Sequence, residues 1–228
     1  MKVTFLGHSA VCIESSQVTI LIDPFLSGNP KASAKPEAFN PEYIFLTHGH
    51  MDHLGDAPAI SKRTGATIVA TFELATYLGA QGLKIVPMNH GGWSKLPFGQ
   101  AKFTVAFHSS SLIEEGGRPL YLGEPAGLIL GLEGKYLYHA GDTALFSDMR
   151  LIGEDVPLEL AMLPIGDHFT MGPKDAAKAV EFLRPKRAVP MHYRTFPPLV
   201  GDPYEFKRLA SGSGTEILIL DPGQSVEL

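Results

Sequence analysis

Three imidazoles and one carboxylate fall within six positions of the chain, in the segment Thr47-His48-Gly49-His50-Met51-Asp52-His53. Neutral imidazole and carboxylate oxygen are ligands for zinc, manganese, iron and nickel. On a strand, the two-residue period would line up His48, His50 and Asp52 on one face. On a tight loop after a strand, His48 and His50 would converge on one ion while Asp52 and His53 address another. The chain holds nine histidines among 228 residues, so three in six positions is poorly explained by a solvated turn. Asp56, close by, reads more simply as the N-cap of a following helix.

Further groups of metal-binding type stand just past apolar runs: His108 after Phe107, Asp142 after Tyr138, His192 after Pro190. Singly, each has a plainer reading: the two histidines as partly buried side chains, Gly141-Asp142-Thr143 as a turn. Jointly, they lie where α/β proteins gather ligand groups, at strand ends. His8 follows a strand and a glycine, and is either a residue that reaches the site from behind or a core or surface histidine. His139 lies beside the Asp142 turn and is expected to donate a ring N–H to a carbonyl. His168 sits on a Gly-containing loop before a helix, where substrate contacts are often found. Asp23 ends a strand stopped by Pro24 and is expected to support the ligands without binding metal. His90 matches no ligand pattern and reads as a loop residue. Ser109-Ser110-Ser111 can line a pocket, but no Gly-x-Ser-x-Gly elbow is present and a serine hydrolase is not indicated.

The elements that must position these groups alternate strand and helix. Strands are predicted at Val3–Leu6, Ala10–Glu14, Val18–Ile22, Tyr43–Leu46, Thr67–Ala70, Lys84–Pro87, Lys102–Phe107, Ala126–Leu132, Lys135–His139, Leu160–Leu163, Arg187–Pro190 and Glu216–Leu220. Helices are predicted at Asp56–Arg63, Phe72–Gln81, Ala144–Ile152, Lys174–Leu183 and Pro203–Leu209, with Gly65 and Gly82 as stops and Pro173 as a start. The loops at 27–39, 109–119 and 195–202 are left to supply pocket residues. Two sets of strands mixed with helices fit a layered arrangement with strands central and helices outside. No linker or repeat divides the chain, and one domain over residues 1–228 is expected.

Composition narrows the function. Hydrophobic residues make up 44% and charged residues 19%, as in ordinary globular proteins. The net charge is −5 with no basic stripe, so no nucleic-acid partner is expected. The single cysteine, Cys12, excludes an internal disulfide and lies in an apolar run that suits a buried thiol. No stretch reaches the ~20 apolar residues of a membrane span. The N-terminus reads directly into a strand pattern rather than a secretory signal, which points to the cytoplasm.

The segment from Thr47 to His53 resembles the His-x-His-x-Asp-His signature of the metallo-β-lactamase superfamily. Leu21-Ile22-Asp23-Pro24-Phe25, Phe107-His108-Ser109-Ser110, Tyr138-His139-Ala140-Gly141-Asp142-Thr143 and Pro190-Met191-His192-Tyr193 are similar to its other motifs, in order and over essentially the whole chain. Gly7-His8-Ser9, the serines after His108, and Gly166-Asp167-His168-Phe169-Thr170-Met171 carry a narrower likeness to small bacterial metal-dependent hydrolases and to the L-ascorbate-6-phosphate lactonase group. The resemblance implies an α/β (α+β) fold, a four-layer αββα sandwich. It implies that His48, His50 and His108 hold one metal, that Asp52, His53 and His192 hold a second, and that Asp142 bridges both.

Two cations ~3.5–4 Å apart can share a water and polarise a carbonyl or phosphoryl oxygen. The expected activity is therefore hydrolysis by a metal-bridging hydroxide. The substrate is a small polar molecule: a lactone, an ester or a phosphorylated metabolite. Asp52 would orient the nucleophilic water, and His168 would touch the substrate or an oxyanion. Two divalent ions are the expected cofactors, zinc first, with manganese, iron or nickel as alternatives. A phosphodiesterase or ribonuclease on the same fold, and a non-enzymatic metal sensor or scaffold, remain the other readings. The sequence leaves a homo-oligomer open.

Overall fold

The computed structural model describes residues 1–228. In chain order the elements are β1 (Lys2–Gly7), β2 (Ala10–Glu14), β3 (Thr19–Ile22), β4 (Tyr43–Phe45), α1 (Met51–Leu54), α2 (Ala57–Thr64), β5 (Thr67–Thr71), α3 (Phe72–Gly79), β6 (Ile85–Met88), β7 (Trp93–Leu96) and β8 (Gly99–Val105). There follow β9 (Ser111–Ile113), β10 (Pro119–Tyr121), β11 (Ala126–Leu132), β12 (Lys135–His139), α4 (Met149–Asp155), β13 (Leu158–Pro164), α5 (Pro173–Leu183), β14 (Arg187–Met191), α6 (Pro203–Leu209), β15 (Glu216–Ile217) and β16 (Ser225–Glu227).

Strand periodicity builds the layers. One seven-stranded sheet runs β16-β1-β2-β3-β4-β5-β6 and the other β15-β14-β13-β12-β11-β8-β7. In β2, Val11 and Ile13 face the second sheet while Ala10 and Cys12 face outward; in β13, Leu160 and Met162 face inward while Ala161 and Leu163 face outward. Both faces are apolar because both are covered. Between the sheets, Phe5, Ile20 and Phe45 pack with Phe103, Leu130 and Met162. Outside the first sheet lie Ile60 of α2 and Leu74 and Leu78 of α3. Outside the second lie Met149 of α4, Val180 of α5 and Phe206 of α6. The layering is αββα. Cys12 is buried under the outer helices as a free thiol, and burial pushes its pKa up to about 12, which leaves it inert.

Several boundaries differ from the sequence expectation for identifiable reasons. The helix expected from Ala144 begins at Met149. Ala144 N–H instead donates to Phe107 O, and Thr143 Oγ1 accepts from Phe107 N–H, so the segment after Asp142 braces the His108 loop. Asp56 stands at the N-cap of α2 but makes no cap bond. Its Oδ2 accepts from the N–H groups of Leu26 and Ser27, tying the 27–39 loop to α2. The loop at 109–119 contains the hairpin β9–β10, with Ser111 opposite Tyr121. Strands β7 and β16 lie at sheet edges, and their short mixed patterns carry little apolar alternation.

Candidate metal centre

The His-rich segment is neither all strand nor all loop. The chain leaves β4 after Phe45, bends at Thr47 and Gly49, is extended at His50 (φ −68°, ψ 147°), and winds into the single turn of α1. That change of conformation sorts the ligands: His48 and His50 sit on the loop before the turn, Asp52 and His53 on the turn. Gly55, at φ 42°, ends the turn where an added Cβ would lie 2.6 Å from Pro24 O. The backbone of Pro24 therefore packs directly behind the ligands.

Two groups of side chains gather. His48, His50 and His108 place one ligand atom each within 4.8 Å of one another, and so do His8, Asp52, His53 and His192. Nε2 of His48 lies 2.9 Å from Nδ1 of His50. Asp142 stands between the groups: Oδ2 is 3.5 Å from His108 Nε2 and 3.0 Å from His192 Nε2, and Oδ1 is 3.3 Å from His53 Nε2. Asp142 Oδ1, His53 Nε2 and His192 Nε2 are all buried and have no hydrogen-bond partner. Buried polar atoms left unpaired are costly and uncommon in folded proteins. Their convergence on one point fits cations that take lone pairs from several sides.

The hydrogen bonds around the cluster assign the ring tautomers. Thr47 Oγ1–H donates to Asp23 Oδ2 at 2.6 Å, so the 3.0 Å contact with His48 must run from Nδ1–H to Thr47 Oγ1. That leaves His48 Nε2 with a free lone pair. His53 Nδ1–H donates to the same Asp23 oxygen at 2.7 Å, which turns its Nε2 toward Asp142. Asp23 also accepts Thr47 N–H on Oδ1. One buried carboxylate therefore orients two imidazoles, as in the carboxylate–histidine pairs behind metal ligands.

His139 works on Asp142 through the backbone. Its Nε2–H donates to Ser9 O at 3.0 Å, and its Nδ1 accepts from Gly141 N–H at 3.2 Å. Gly141 takes φ 61°, and an added Cβ would lie 2.6 Å from Ala126 O. His8 is buried, with Nδ1 against Thr195 Oγ1 at 2.9 Å and Nε2 against Asp52 Oδ2 at 3.1 Å. Thr195 carried no signal in the sequence, and Thr47 carried none beyond standing next to His48.

Electrostatics divides the cluster. Burial pushes the pKa of His48, His50 and His108 down, and that of His8 to about 4, so these rings are neutral at pH 7. Burial also opposes charge on His53, but Asp142 and Asp23 outweigh it and hold its pKa well above the ordinary value. Asp142 is held well below its usual range: burial is outweighed by His192 and His53. Burial likewise raises Asp52, and the His8 hydrogen bond and the His53 charge overcome it, leaving the carboxyl ionised.

Six non-glycine residues around the cluster adopt left-handed backbone: His8, Asp23, Asp167, His168, His192 and Arg194. Each such residue costs about 1–3 kcal/mol and persists where packing enforces it, often at functional sites. His168 is exposed on the loop after β13 and belongs to neither ligand group. Its loop joins the centre through Met171 N–H to Thr143 O. His90 bonds Pro125 O outside the cluster. A cavity of 560 Å³ under β8 and α4 is lined by none of the ligand residues. Another, of 440 Å³, opens beside His108.

Comparison with known proteins gives a consistent result. The family model described as "Beta-lactamase superfamily domain" matches residues 18–193. A protein of Geobacillus thermodenitrificans named "UPF0173 metal-dependent hydrolase" is 52% identical over 229 residues, covering 100% of both chains. The structure of Igni18, described as a novel metallo hydrolase from the archaeon Ignicoccus hospitalis, matches with 39% identity and a TM-score of 0.89, covering 99% of this chain and 97% of that one. An isothiocyanate hydrolase from Delia radicum gut bacteria shares the fold at 19% identity and a TM-score of 0.77. Matched end to end at half identity, the chain belongs to the β-lactamase superfamily and, within it, to the family of these UPF0173 proteins.

Proposed function

We propose that the chain is a dinuclear metal-dependent hydrolase of a small polar substrate, a lactone, ester or phosphorylated metabolite. The observation that carries this reading is the convergence of seven ligand-type side chains, three of which, His53, Asp142 and His192, bring buried atoms with no hydrogen-bond partner. The names of its relatives, metal-dependent hydrolase and metallo hydrolase, point the same way.

In this reading His48, His50 and His108 hold one ion, Asp52, His53 and His192 the other, and Asp142 serves both. Bound there, divalent ions supply Lewis acidity and bring the pKa of water to about 7. Asp52, whose side chain is 30% exposed while His53, Asp142 and His192 are enclosed, faces the reacting water. Held ionised, it is a weak base, and its role is to accept a hydrogen bond and align the nucleophile. His8 Nε2–H fixes the carboxylate from behind. His168 meets the substrate from the loop above Asp142. The cleft beside His108 contains no Lys or Arg, which disfavours a nucleic-acid substrate.

Elemental analysis of purified protein tests the site, comparing wild type with the His48→Ala/His50→Ala double variant. Close to two ions per wild-type chain and a sharp loss in the folded variant are expected. Asp142→Ala is expected to abolish lactone and ester turnover along with metal. Wild-type protein that stays metal-free after incubation with zinc, manganese or iron, or a fully active Asp142→Ala protein, would refute the reading.

A further inference from the structure

The cleft that opens from the metal cluster is chemically one-sided. It occupies 440 Å³ beside His108, between the serine run and the β9–β10 hairpin, and its walls include Ser109, Ser111, Tyr121 and Glu124. No Lys or Arg lines it. The one carboxylate, Glu124, accepts Tyr121 O–H on Oε1 at 2.7 Å and forms no ion pair, so its charge is uncompensated. Arg118, farther out on the same hairpin, is paired with Glu114.

The serines complete the polarity. His50 turns Nδ1 to His48 and Nε2 to Ser109 Oγ, 3.4 Å away. Ser109 thus presents a hydroxyl, donor and acceptor in one group, where the cleft meets His50. Ser110 is consumed by structure, accepting Gly49 N–H at 3.0 Å. Ser111 Oγ has no internal bond and stands opposite Tyr121 across the hairpin. The cations on another side of the centre are separated from this cleft. Lys31 and Arg194 line a 220 Å³ cavity whose only member of the metal cluster is His8. Both ring nitrogens of His8 are engaged, and Arg194 is paired with Asp202.

We infer that the cleft beside His108 selects a substrate whose handle is an ammonium or a hydroxyl, held by Glu124 and the Ser109 and Ser111 hydroxyls, and that it rejects a phosphate handle. The inference rests on the hydrolase reading for its site and narrows the substrate class of that site. A phosphate would bring two negative charges against Glu124 with no Lys or Arg in the cleft wall to receive them, whereas an ammonium finds a free carboxylate. A hydroxyl finds donors and acceptors of both kinds. Among lactones, esters and phosphorylated metabolites, the geometry therefore favours amino- or hydroxy-substituted lactones and esters.

The test uses the metal-loaded full chain and three p-nitrophenyl esters with one acyl chain: ε-aminocaproate, ε-hydroxycaproate and ε-phosphonooxycaproate. Wild type is expected to cleave the ammonium ester about tenfold or more better, in kcat/KM, than the phosphate ester, with the hydroxyl ester between. Glu124→Lys is expected to invert that order, with its metal content and thermal midpoint confirming the fold. Calorimetric binding of the three free acids to the same proteins reads the cleft without turnover. A phosphate handle equal to or better than ammonium in wild type, in both assays, would overturn the inference, as would an order unmoved by Glu124→Lys. If no ester turns over but binding shows the expected order and its inversion, the hydrolase reading fails and the cleft assignment stands.

Discussion

Asp23 shows how much of the centre depends on a residue that binds no metal in the proposed site. Its two oxygens receive three donors: Thr47 N–H, Thr47 Oγ1–H and His53 Nδ1–H. Through Thr47 it also sets the tautomer of His48. Asn at this position offers one acceptor oxygen and adds an N–H₂ facing donors. Asp23→Asn is therefore expected to weaken metal binding 10–100-fold while the chain stays folded. Competition with a metal-sensitive chelator measures the change, and an unchanged affinity would show that the imidazoles are oriented by packing alone. The motif residues stood out in the sequence because their types cluster. Thr195, which contacts His8, did not, because nothing local distinguishes one threonine from another.

At the scale of elements, the ligands depend on where strands stop. Gly141 turns the chain between β12 and Asp142 at φ 61°, with Thr47 Cβ 3.0 Å and Ala126 O 2.6 Å from where a side chain would begin. Gly141→Ala must push the Asp142 turn away from β11, and a cost of at least about 2 kcal/mol is expected, with loss of bound metal. Denaturant titration of the metal-free variant isolates the first effect and elemental analysis the second. A variant with wild-type stability and metal content would mean that the turn relaxes freely. The central strands were legible because their apolar runs are long: β2, β11 and β12 match the expected bounds residue for residue. Hairpin β9–β10 was not, since three-residue strands beside serines and glycines carry no periodicity. Nor was the delayed start of α4, which follows from Ala144 N–H being claimed by Phe107 O.

Across the whole molecule, the proposed ligands come from both sheets. His48, His50, Asp52 and His53 follow β4 of the first, and His108, Asp142 and His192 follow strands of the second. Bound ions would thus join the two halves, and ligand that binds only the folded chain adds about 4 kcal/mol at a thousandfold excess over Kd. Chelation is expected to lower the thermal midpoint by roughly 10 °C for a chain of this size. A midpoint indifferent to chelator would contradict binding at that junction. Proton linkage should also emerge in the metal-free protein. Unfolded His8 takes a proton at its ordinary pKa of 6.5, whereas the folded ring stays neutral down to about 4. The unfolded chain therefore binds more protons in that window, and stability falls as pH drops from 6.5 to 4, by roughly 3 kcal/mol for His8. His48, His50, His108 and His139 are depressed by burial and act in the same direction. His53, raised by Asp142 and Asp23, opposes them, since its contribution is present in acid and lost as pH rises through its folded value. Denaturation at pH 7 and pH 5 is expected to show the loss, with a smaller drop in His8→Gln. An equal drop in that variant would remove His8 from the account.

What the sequence by itself determined was the layered α/β class and the dense His-Asp segment from His48 to His53; the full ligand set followed only from the resemblance. Both are written in short-range pattern: continuous apolar runs in strands covered on both faces, and an improbable density of imidazole and carboxylate. The tertiary structure decided what no local pattern encodes. It brought Asp142 between His108 and His192, aimed Asp23 at His53 directly and at His48 through Thr47, and set Thr195 behind His8. It also formed the cleft in which Glu124 meets the serine run. These contacts are chosen by sheet register and by loops packed against one another. Their energetics depend on burial, which keeps some imidazoles neutral, and on buried carboxylates, which charge His53; both are properties of the assembled fold rather than of any segment.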